Sequence, residues 1–328
     1  FGYPITPQND IPEYLSKHLP PLGGEFIQAE SEIASINLLL GASATGARAM
    51  TSSSSPGISL MQEGISYMAG SELPALIVNI SRSGPGLGGI SPSQGDYFQA
   101  TRGGGHGDYR MIVLAPSTVQ EMYDLTCLAF NLADKYRNPA MILGDALIGQ
   151  MKEPLVRKKC EPMELPPKDW ALTGAQGRNP NRLKSLYLQD GELSEHNWKL
   201  HQKYERMKKE EVRFESFGVD DAQLVVAAFG SMARVSKTSV ELARDEGMKV
   251  GLLRPITLFP FPGEGLYKLS QQVKTFLTVE LNTGQMVEDV KLSVARDAQV
   301  HFYGRPPGSL PSPDEVLEEI KKYYNVNS

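Results

Sequence analysis

Short apolar runs alternate with amphipathic stretches over the first half of the chain. The run 75–80 is apolar except for Asn79, which is typical of a central strand in a parallel sheet. Residues 112–114 and 140–143 are shorter runs of the same kind. Between them the pattern predicts a helix, opened by Ser117 with Gln120 as its capping box. This alternation predicts a doubly wound α/β domain.

The pattern changes at about residue 153. From there to 217, proline, lysine and glutamate dominate and the apolar periodicity is weak, so we predict a linker with one helical segment. Alternation of strands and helices then resumes, apart from an extended, proline-punctuated loop predicted over 255–262. The chain is therefore divided into a first domain, a linker and a smaller second domain, with predicted bounds 1–152, 153–217 and 218–328.

Charge and cysteine content exclude several classes of protein. The 328 residues contain 33 basic and 38 acidic side chains, a net charge of −5 without a basic block, so nucleic-acid binding is not expected. No apolar stretch reaches transmembrane length, and the start of the chain has no signal-peptide pattern. Cys127 and Cys160 form neither a CxxC pair nor a metal-ligand spacing. We expect reduced cysteines, a cytoplasmic protein, no iron–sulfur cluster on this chain alone, and a natural N-terminus that precedes Phe1.

Glu32 stands at the head of an apolar, small-residue stretch that carries no further charge until Arg48. A helix that is hydrophobic all round is buried, so this carboxylate is expected at the edge of a core or a subunit interface. The alternative is an acidic residue that merely stabilises the first turn of a helix.

Two further features follow the strand predicted over 75–80. Arg82 ends it, and a guanidinium at that edge suits bidentate recognition of a carboxylate, the alternative being a salt bridge across a subunit contact. Gly84–Gly89 matches GxGxxG, but Pro92 interrupts the stretch in which the dinucleotide fingerprint needs a helix. We therefore interpret these glycines as a ligand-facing loop, and nicotinamide or flavin binding is not expected.

Several short motifs occur in an order and spacing that resembles one enzyme family. They are Tyr3–Pro7, Glu30–Ala34, Thr51–Gly57, Arg82–Pro85, Leu253–Pro262 and Glu280–Gln285. Together they resemble the α subunit of the 2-oxoacid:ferredoxin oxidoreductases, which depend on thiamine diphosphate. The resemblance covers essentially the whole chain. It implies a pyrimidine-binding domain with a doubly wound parallel sheet, followed by a transketolase C-terminal-like α/β domain.

The resemblance also implies roles for individual residues. Glu32 is similar in position to the glutamate that activates the cofactor through its aminopyrimidine ring. Thr6 and Arg82 match positions near the substrate carboxylate, and Ser54 and Ser55 match a loop that approaches the cofactor. The implied reaction is oxidative decarboxylation of a 2-oxoacid to an acyl-CoA, with electrons passed to ferredoxin.

A complete enzyme of this kind needs more than this chain. Neither Gly144–Ala146 nor Gln189–Gly191 supplies the usual Gly-Asp-Gly magnesium motif. The resemblance therefore implies partners: a β subunit that holds the diphosphate and Mg²⁺, and γ and ferredoxin-like δ subunits, with the iron–sulfur clusters on partner chains. The expected substrate is 2-oxoisovalerate. The alternatives are a 2-oxoglutarate enzyme of the same family and a non-catalytic structural subunit.

Overall fold

The computed structural model describes residues 1–306 and 308–324. Its first half alternates helices and strands as the sequence predicts. In chain order these are α1 Asp10–His18, a short 3₁₀ turn Pro20–Leu22, α2 Glu32–Ala44, β1 Met50–Ser53, α3 Ser55–Gly70, β2 Ala75–Ser81, α4 Tyr97–Arg102, β3 Ile112–Leu114, α5 Val119–Tyr136, β4 Pro139–Asp145 and α6 Ala146–Gln150.

The second half begins with a long helix and then builds another sheet. Its elements are α7 Glu192–Glu210, β5 Phe214–Phe217, β6 Leu224–Ala227, α8 Gly230–Asp245, β7 Val250–Pro255, β8 Thr257–Phe259, α9 Gly263–Ser270, β9 Thr275–Glu280, α10 Met286–Ser293, β10 Gln299–Gly304 and α11 Pro313–Tyr324. The two sheets have the strand orders β1-β2-β4-β3-β8 and β10-β9-β6-β7-β5, and all pairs are parallel except β3–β8 and β5–β7.

Strand β2 shows why the first sheet is buried on both faces. Ile77 packs into the core cluster that includes α2 and α3, whereas Val78 packs into the cluster that includes α5. Alternate residues of a strand point to opposite faces, so both faces of β2 need apolar side chains. The doubly wound architecture predicted from the apolar runs is therefore confirmed.

Three details differ from the sequence predictions. The loop predicted over 255–262 contains β8, which crosses from the second half of the chain to pair with β3 of the first sheet. The predicted linker contains β5, an edge strand of the second sheet. The cap of α5 lies one residue later than predicted, since Thr118 Oγ1 accepts from the amide of Glu121 at 3.1 Å. Strand β5 is short and exposed, and β8 is buried but only three residues long, so neither carries the apolar periodicity on which prediction depends.

The expectation of reduced cysteines is wrong, because Cys127 of α5 and Cys160 form a disulfide. The segment that carries Cys160 lies along α5: the Gln120 side chain donates to the carbonyl of Val156 at 3.1 Å and accepts from its amide at 2.9 Å. The two cysteines are 33 residues apart in the sequence, with no motif to pair them.

Arg254 of β7 and Glu121 of α5 join the two halves of the chain. The guanidinium is 4% exposed and donates to both oxygens of the Glu121 carboxylate, at 2.6 and 2.8 Å. Burial by itself would raise the pKa of Glu121, but hydrogen bonds from Arg254 and Ser117 outweigh it and hold that pKa below its usual value. Glu121 therefore stabilises the fold when it is ionised.

We expect Glu121→Gln to lower the free energy of unfolding by about 2 kcal/mol at pH 7, because it weakens a buried, charge-assisted pair. The difference from wild type should shrink as the pH falls through the folded-state pKa of Glu121, where the native carboxylate is also protonated. Thermal denaturation at a series of pH values from 7 to well below 4 measures this, because the folded-state pKa of Glu121 lies below its usual value. Glu241→Gln, at an exposed residue of α8, is the control. A difference that stays constant with pH would contradict the assignment.

Candidate active site

Glu32 is the first residue of helix α2 and directly follows the N-cap residue. Ser31 is the N-cap of α2 and its hydroxyl accepts from the amide of Ala34 at 3.1 Å. Capping is therefore supplied by Ser31. The Glu32 side chain is 6% exposed, and within residues 1–306 and 308–324 its carboxylate has no hydrogen-bond or ion-pair partner. A buried carboxylate without a partner is costly and points to a ligand that the chain by itself does not contain.

The first turn of α3 faces this carboxylate through a glycine. A Cβ on Gly57 would lie 2.7 Å from Glu32 Oε1 and 2.0 Å from Ser53 Oγ, closer than van der Waals contact allows. The hydroxyls of Ser53 and Ser54 are also buried and lack hydrogen-bond partners in the described part of the chain. A carboxylate and two unpaired hydroxyls thus lie near one another at the start of α3.

We expect Gly57→Ala to displace the Glu32 carboxylate and, given the cofactor-activating role that the resemblance implies for Glu32, to reduce the activity of the implied enzyme at least about tenfold, since small misplacements of such a group are expensive. Gly70→Ala, at the other end of α3, is the matched control because its Cβ would meet only Ser185, at 3.5 Å. The measurement is the steady-state rate, with a thermal melt of each variant. Equal activity of the two variants would contradict the contact between Gly57 and Glu32.

Arg82 directly follows β2, as predicted, and is 7% exposed. Its Nη1 donates to the carbonyl of Thr6 at 2.8 Å, and its Nη2 donates to the carbonyl of Leu87 at 3.1 Å. Its Nε is buried and has no hydrogen-bond partner among the described residues. Guanidinium carries five N–H donors, so Arg82 shapes two loops and still has donors for a ligand.

Thr6 lies in the loop before α1, where the guanidinium of Arg82 holds its carbonyl. Its hydroxyl accepts only a long hydrogen bond, 3.4 Å, from Asn9. The structure therefore brings together Thr6 and Arg82, the two residues that the resemblance assigns to the substrate carboxylate.

Ser55 connects Arg82 to two residues that the sequence analysis did not identify. The Ser55 hydroxyl donates to Asp96 Oδ2 at 2.6 Å and accepts from the amide of Arg82 at 3.0 Å. The same Asp96 oxygen accepts from Asn79 Nδ2 at 2.8 Å. A signal for Asn79 was present, since it is the one polar residue in the apolar run 75–80.

The glycine-rich segment after Arg82 closes on itself and opens no helix. The amide of Gly89 donates to the carbonyl of Ser83 at 2.9 Å, and Gly88 has φ 61° with Ser83 O only 1.8 Å from the position of a Cβ. This turn is not the strand–turn–helix on which a dinucleotide pyrophosphate binds. It forms one wall of a cavity of about 390 Å³ that Arg82, Ser55 and Asp96 also line.

A larger cavity, about 580 Å³, lies at the junction of the two halves beside Arg254. Its principal charged groups, Arg254 and Glu121, already pair with each other. Ser53, Ser54 and Arg82 each have a buried polar atom without a partner among the described residues, and Ser53 lies beside Glu32 across Gly57. We therefore place the candidate active site there.

The unpaired groups fit one end of thiamine diphosphate. A ring nitrogen of an aminopyrimidine pairs with a carboxyl group, and Glu32 offers a buried one that has no partner among the described residues. The described residues do not match the diphosphate end, which is held through a metal ion. Across the described residues, no group of three or more His, Cys, Asp or Glu side chains is arranged to hold a metal ion.

Comparison with known families decides the identity of the chain. The sequence pattern described as "Pyruvate flavodoxin/ferredoxin oxidoreductase, thiamine diP-bdg" matches residues 1–214, and "Pyruvate:ferredoxin oxidoreductase core domain II" matches residues 222–316. The chain belongs to the 2-oxoacid:ferredoxin oxidoreductase family. Members of this family are thiamine-diphosphate-dependent enzymes of 2-oxoacid oxidative decarboxylation, as the sequence motifs indicated.

Two relatives of this oxidoreductase subunit cover nearly its whole length. The ketoisovalerate oxidoreductase subunit VorB of Methanothermobacter thermautotrophicus is 51% identical over 329 residues, which are 100% of this chain and 93% of the relative. The 2-oxoglutarate synthase subunit KorA of Archaeoglobus fulgidus is 37% identical and covers 98% of this chain and 92% of its own.

Solved structures agree on the fold. The 2-oxoglutarate:ferredoxin oxidoreductase from Magnetococcus marinus, with 2-oxoglutarate, coenzyme A and succinyl-CoA bound, superimposes with a TM-score of 0.83 at 28% identity. It covers 98% of this oxidoreductase subunit, which spans 61% of that longer chain. A split-gene transketolase shares the fold at a TM-score of 0.59 and 10% identity. In the described part of the subunit, no helix combines the length and the apolar character that a membrane span requires.

Proposed function

We propose that this chain is the α subunit of an enzyme that converts 2-oxoisovalerate and coenzyme A to an acyl-CoA and carbon dioxide and reduces ferredoxin. The observation that carries the proposal is the buried, unpartnered carboxylate of Glu32 against Gly57. The 51% identity to a ketoisovalerate oxidoreductase subunit supports the choice of substrate. We place the enzyme in the cytoplasm, with its co-substrates coenzyme A and ferredoxin.

Thiamine diphosphate, when bound, supplies a carbon nucleophile for the 2-oxo group and an electron sink for the decarboxylation. Glu32 would hold or accept a proton at N1′ of the aminopyrimidine ring, in a site where burial excludes competing water. Ser54 offers a buried hydroxyl to the same ring. Ser55 remains a predicted cofactor contact, although its hydroxyl is already shared between Asp96 and Arg82.

Arg82 and Thr6 would bind the carboxylate of the 2-oxoacid. The buried Nε of Arg82 and its remaining N–H donors suit a charge-assisted pair, and the Thr6 hydroxyl adds a neutral hydrogen bond. Arg82 is the one cation among the described residues that line the 390 Å³ cavity. A substrate with a single carboxylate therefore fits better than a dicarboxylate such as 2-oxoglutarate.

The partner that completes the site is proposed to be a β subunit with the diphosphate and Mg²⁺ site. Helices α2 and α3 pack on each other next to Glu32, yet both expose large apolar side chains: Ile33 at 52%, Leu38 at 39%, Leu60 at 51% and Tyr67 at 43%. Such a patch on one chain marks a protein–protein interface. The γ and ferredoxin-like δ subunits would carry electrons from there to ferredoxin through iron–sulfur clusters.

Co-expression with its partner subunits, followed by a 2-oxoacid panel with a viologen dye as acceptor, tests the function. We expect the highest kcat/KM with 2-oxoisovalerate and dependence on both thiamine diphosphate and coenzyme A. A preference for 2-oxoglutarate would replace the substrate assignment with the activity named for the 37% identical relative. An assembled complex that oxidises no 2-oxoacid would refute the function itself.

A further inference from the structure

A short segment, residues 93–98, lies between the candidate active site and the second sheet; we refer to it as the bridging loop. Gln94 within it is 3% exposed, and its side chain is held by the second half of the chain. Its side chain donates to the carbonyl of Phe229 at 2.8 Å and accepts from the amide of Leu281 at 3.0 Å. Its own amide donates to the carbonyl of Leu281 at 2.9 Å.

Gln285 fixes the same loop at two further points. Its side chain accepts from the amide of Phe98 at 2.8 Å and donates to the carbonyl of Gly95, also at 2.8 Å. Gln285 is itself anchored by Glu280, a buried carboxylate that accepts from the amides of residues 285, 286 and 287. The amide oxygen and nitrogen of the Gln285 side chain hydrogen-bond to the backbone on either side of Asp96. The second half of the chain therefore sets the position of Asp96.

Asp96 connects the bridging loop to Arg82 and Thr6 through Ser55. It occupies the N-cap of α4, yet its side chain makes no capping hydrogen bond to that helix. Its Oδ2 instead accepts from Ser55 and Asn79. Ser55 in turn accepts from the amide of Arg82, whose guanidinium holds the carbonyl of Thr6.

Hydrogen bonds and the backbone of the bridging loop thus connect Glu280 in the second sheet to Thr6 in the first half. We propose that Asp96 is a positioning residue, through which the second half of the chain orients Arg82 and Thr6 toward the carboxylate of the 2-oxoacid. The proposal rests on the function proposed above. It gives the second half of the chain a part in substrate binding.

Asp96→Asn in the co-expressed complex tests this. The neutral amide oxygen of asparagine accepts from Ser55 and Asn79 more weakly than the charged carboxylate does, so we expect KM for the 2-oxoacid to rise about tenfold. The value of kcat and the half-saturating concentration of thiamine diphosphate should stay within about twofold of wild type. Asp190→Asn, at an exposed aspartate before α7, is the matched control. A role confined to folding would lower the melting temperature without this selective rise in KM.

Gln285→Ala extends the test across the two halves. It should raise KM for the 2-oxoacid about fivefold, and the double variant with Asp96→Asn should resemble Asp96→Asn alone, because residues in one network are not additive. Independent effects, which would multiply to about fiftyfold, would overturn the proposal. An unchanged KM in an active Asp96→Asn enzyme would also overturn it while leaving the proposed function intact. If Asp96→Asn does not assemble, the KM measured for Gln285→Ala alone decides, and an unchanged value there refutes the proposal.

Discussion

Glu32→Gln is expected to reduce 2-oxoacid-dependent dye reduction by the assembled complex about 10²–10⁴-fold, the usual contribution of a positioned acid–base group. Glutamine keeps the size of the side chain and removes its ability to exchange a proton. The wild-type carboxylate is buried and lacks a partner in the described part of the chain, so neither packing nor a salt bridge accounts for it. The loss should appear in kcat, with subunit assembly unchanged.

Glu30→Gln is the control for this variant. Glu30 lies two residues away, is exposed, and belongs to the same sequence motif. We expect its activity to match wild type. Near wild-type activity of Glu32→Gln would instead support a structural subunit, with the site residues as remnants. A thermal melt that shows Glu32→Gln to be as stable as wild type, or more so, would fit the relief of an unpaired buried charge.

The parts of the fold that the sequence predicted are those with a strong local signal. Strand β2, helix α5 and the position of Arg82 all follow from apolar runs and their ends. Strand β8 was missed, since a three-residue strand after a proline carries no periodicity, and its pairing with β3 is set by tertiary contacts. The predicted domain bounds 1–152, 153–217 and 218–328 stay a prediction.

The site shows the same division between local and long-range information. Glu32 and Arg82 could be proposed as site residues because they lie at the start of a helix and after the end of a strand, whereas Thr6 was proposed from the family motif alone. Asp96 could not, because its role depends on Ser55 and Asn79, which are 41 and 17 residues away in the sequence. Single residues that connect elements in this way carry no pattern of their own.

The apolar character of helix α2 and the unpaired carboxylate of Glu32 are physically linked. Helix α2 has no polar face, and within this chain it still exposes Ile33 and Leu38. Covering that face with a partner would also deepen the burial of Glu32, whose interactions then strengthen as water is excluded. Assembly of the subunits and activation of the carboxylate are therefore expected to occur together.

Arg82→Lys is expected to raise KM for the 2-oxoacid about 10²-fold, which corresponds to the loss of a charge-assisted, bidentate contact. Lysine preserves the charge, but one ammonium cannot reach the carbonyls of Thr6 and Leu87 and a substrate carboxylate together. The loop that carries Thr6 should loosen as well, since Arg82 Nη1 holds it at 2.8 Å. Steady-state kinetics with 2-oxoisovalerate measure the effect, and the half-saturating concentration of thiamine diphosphate should not change.

Arg206→Lys, on the exposed surface of α7, is the matched control and should leave KM unchanged. The comparison between substrates makes the test specific. If Arg82 binds the carboxylate common to all 2-oxoacids, then Arg82→Lys raises KM by a similar factor for each substrate in the panel. A rise confined to one substrate would place Arg82 against the variable side chain, and an unchanged KM would assign it to the two loops alone.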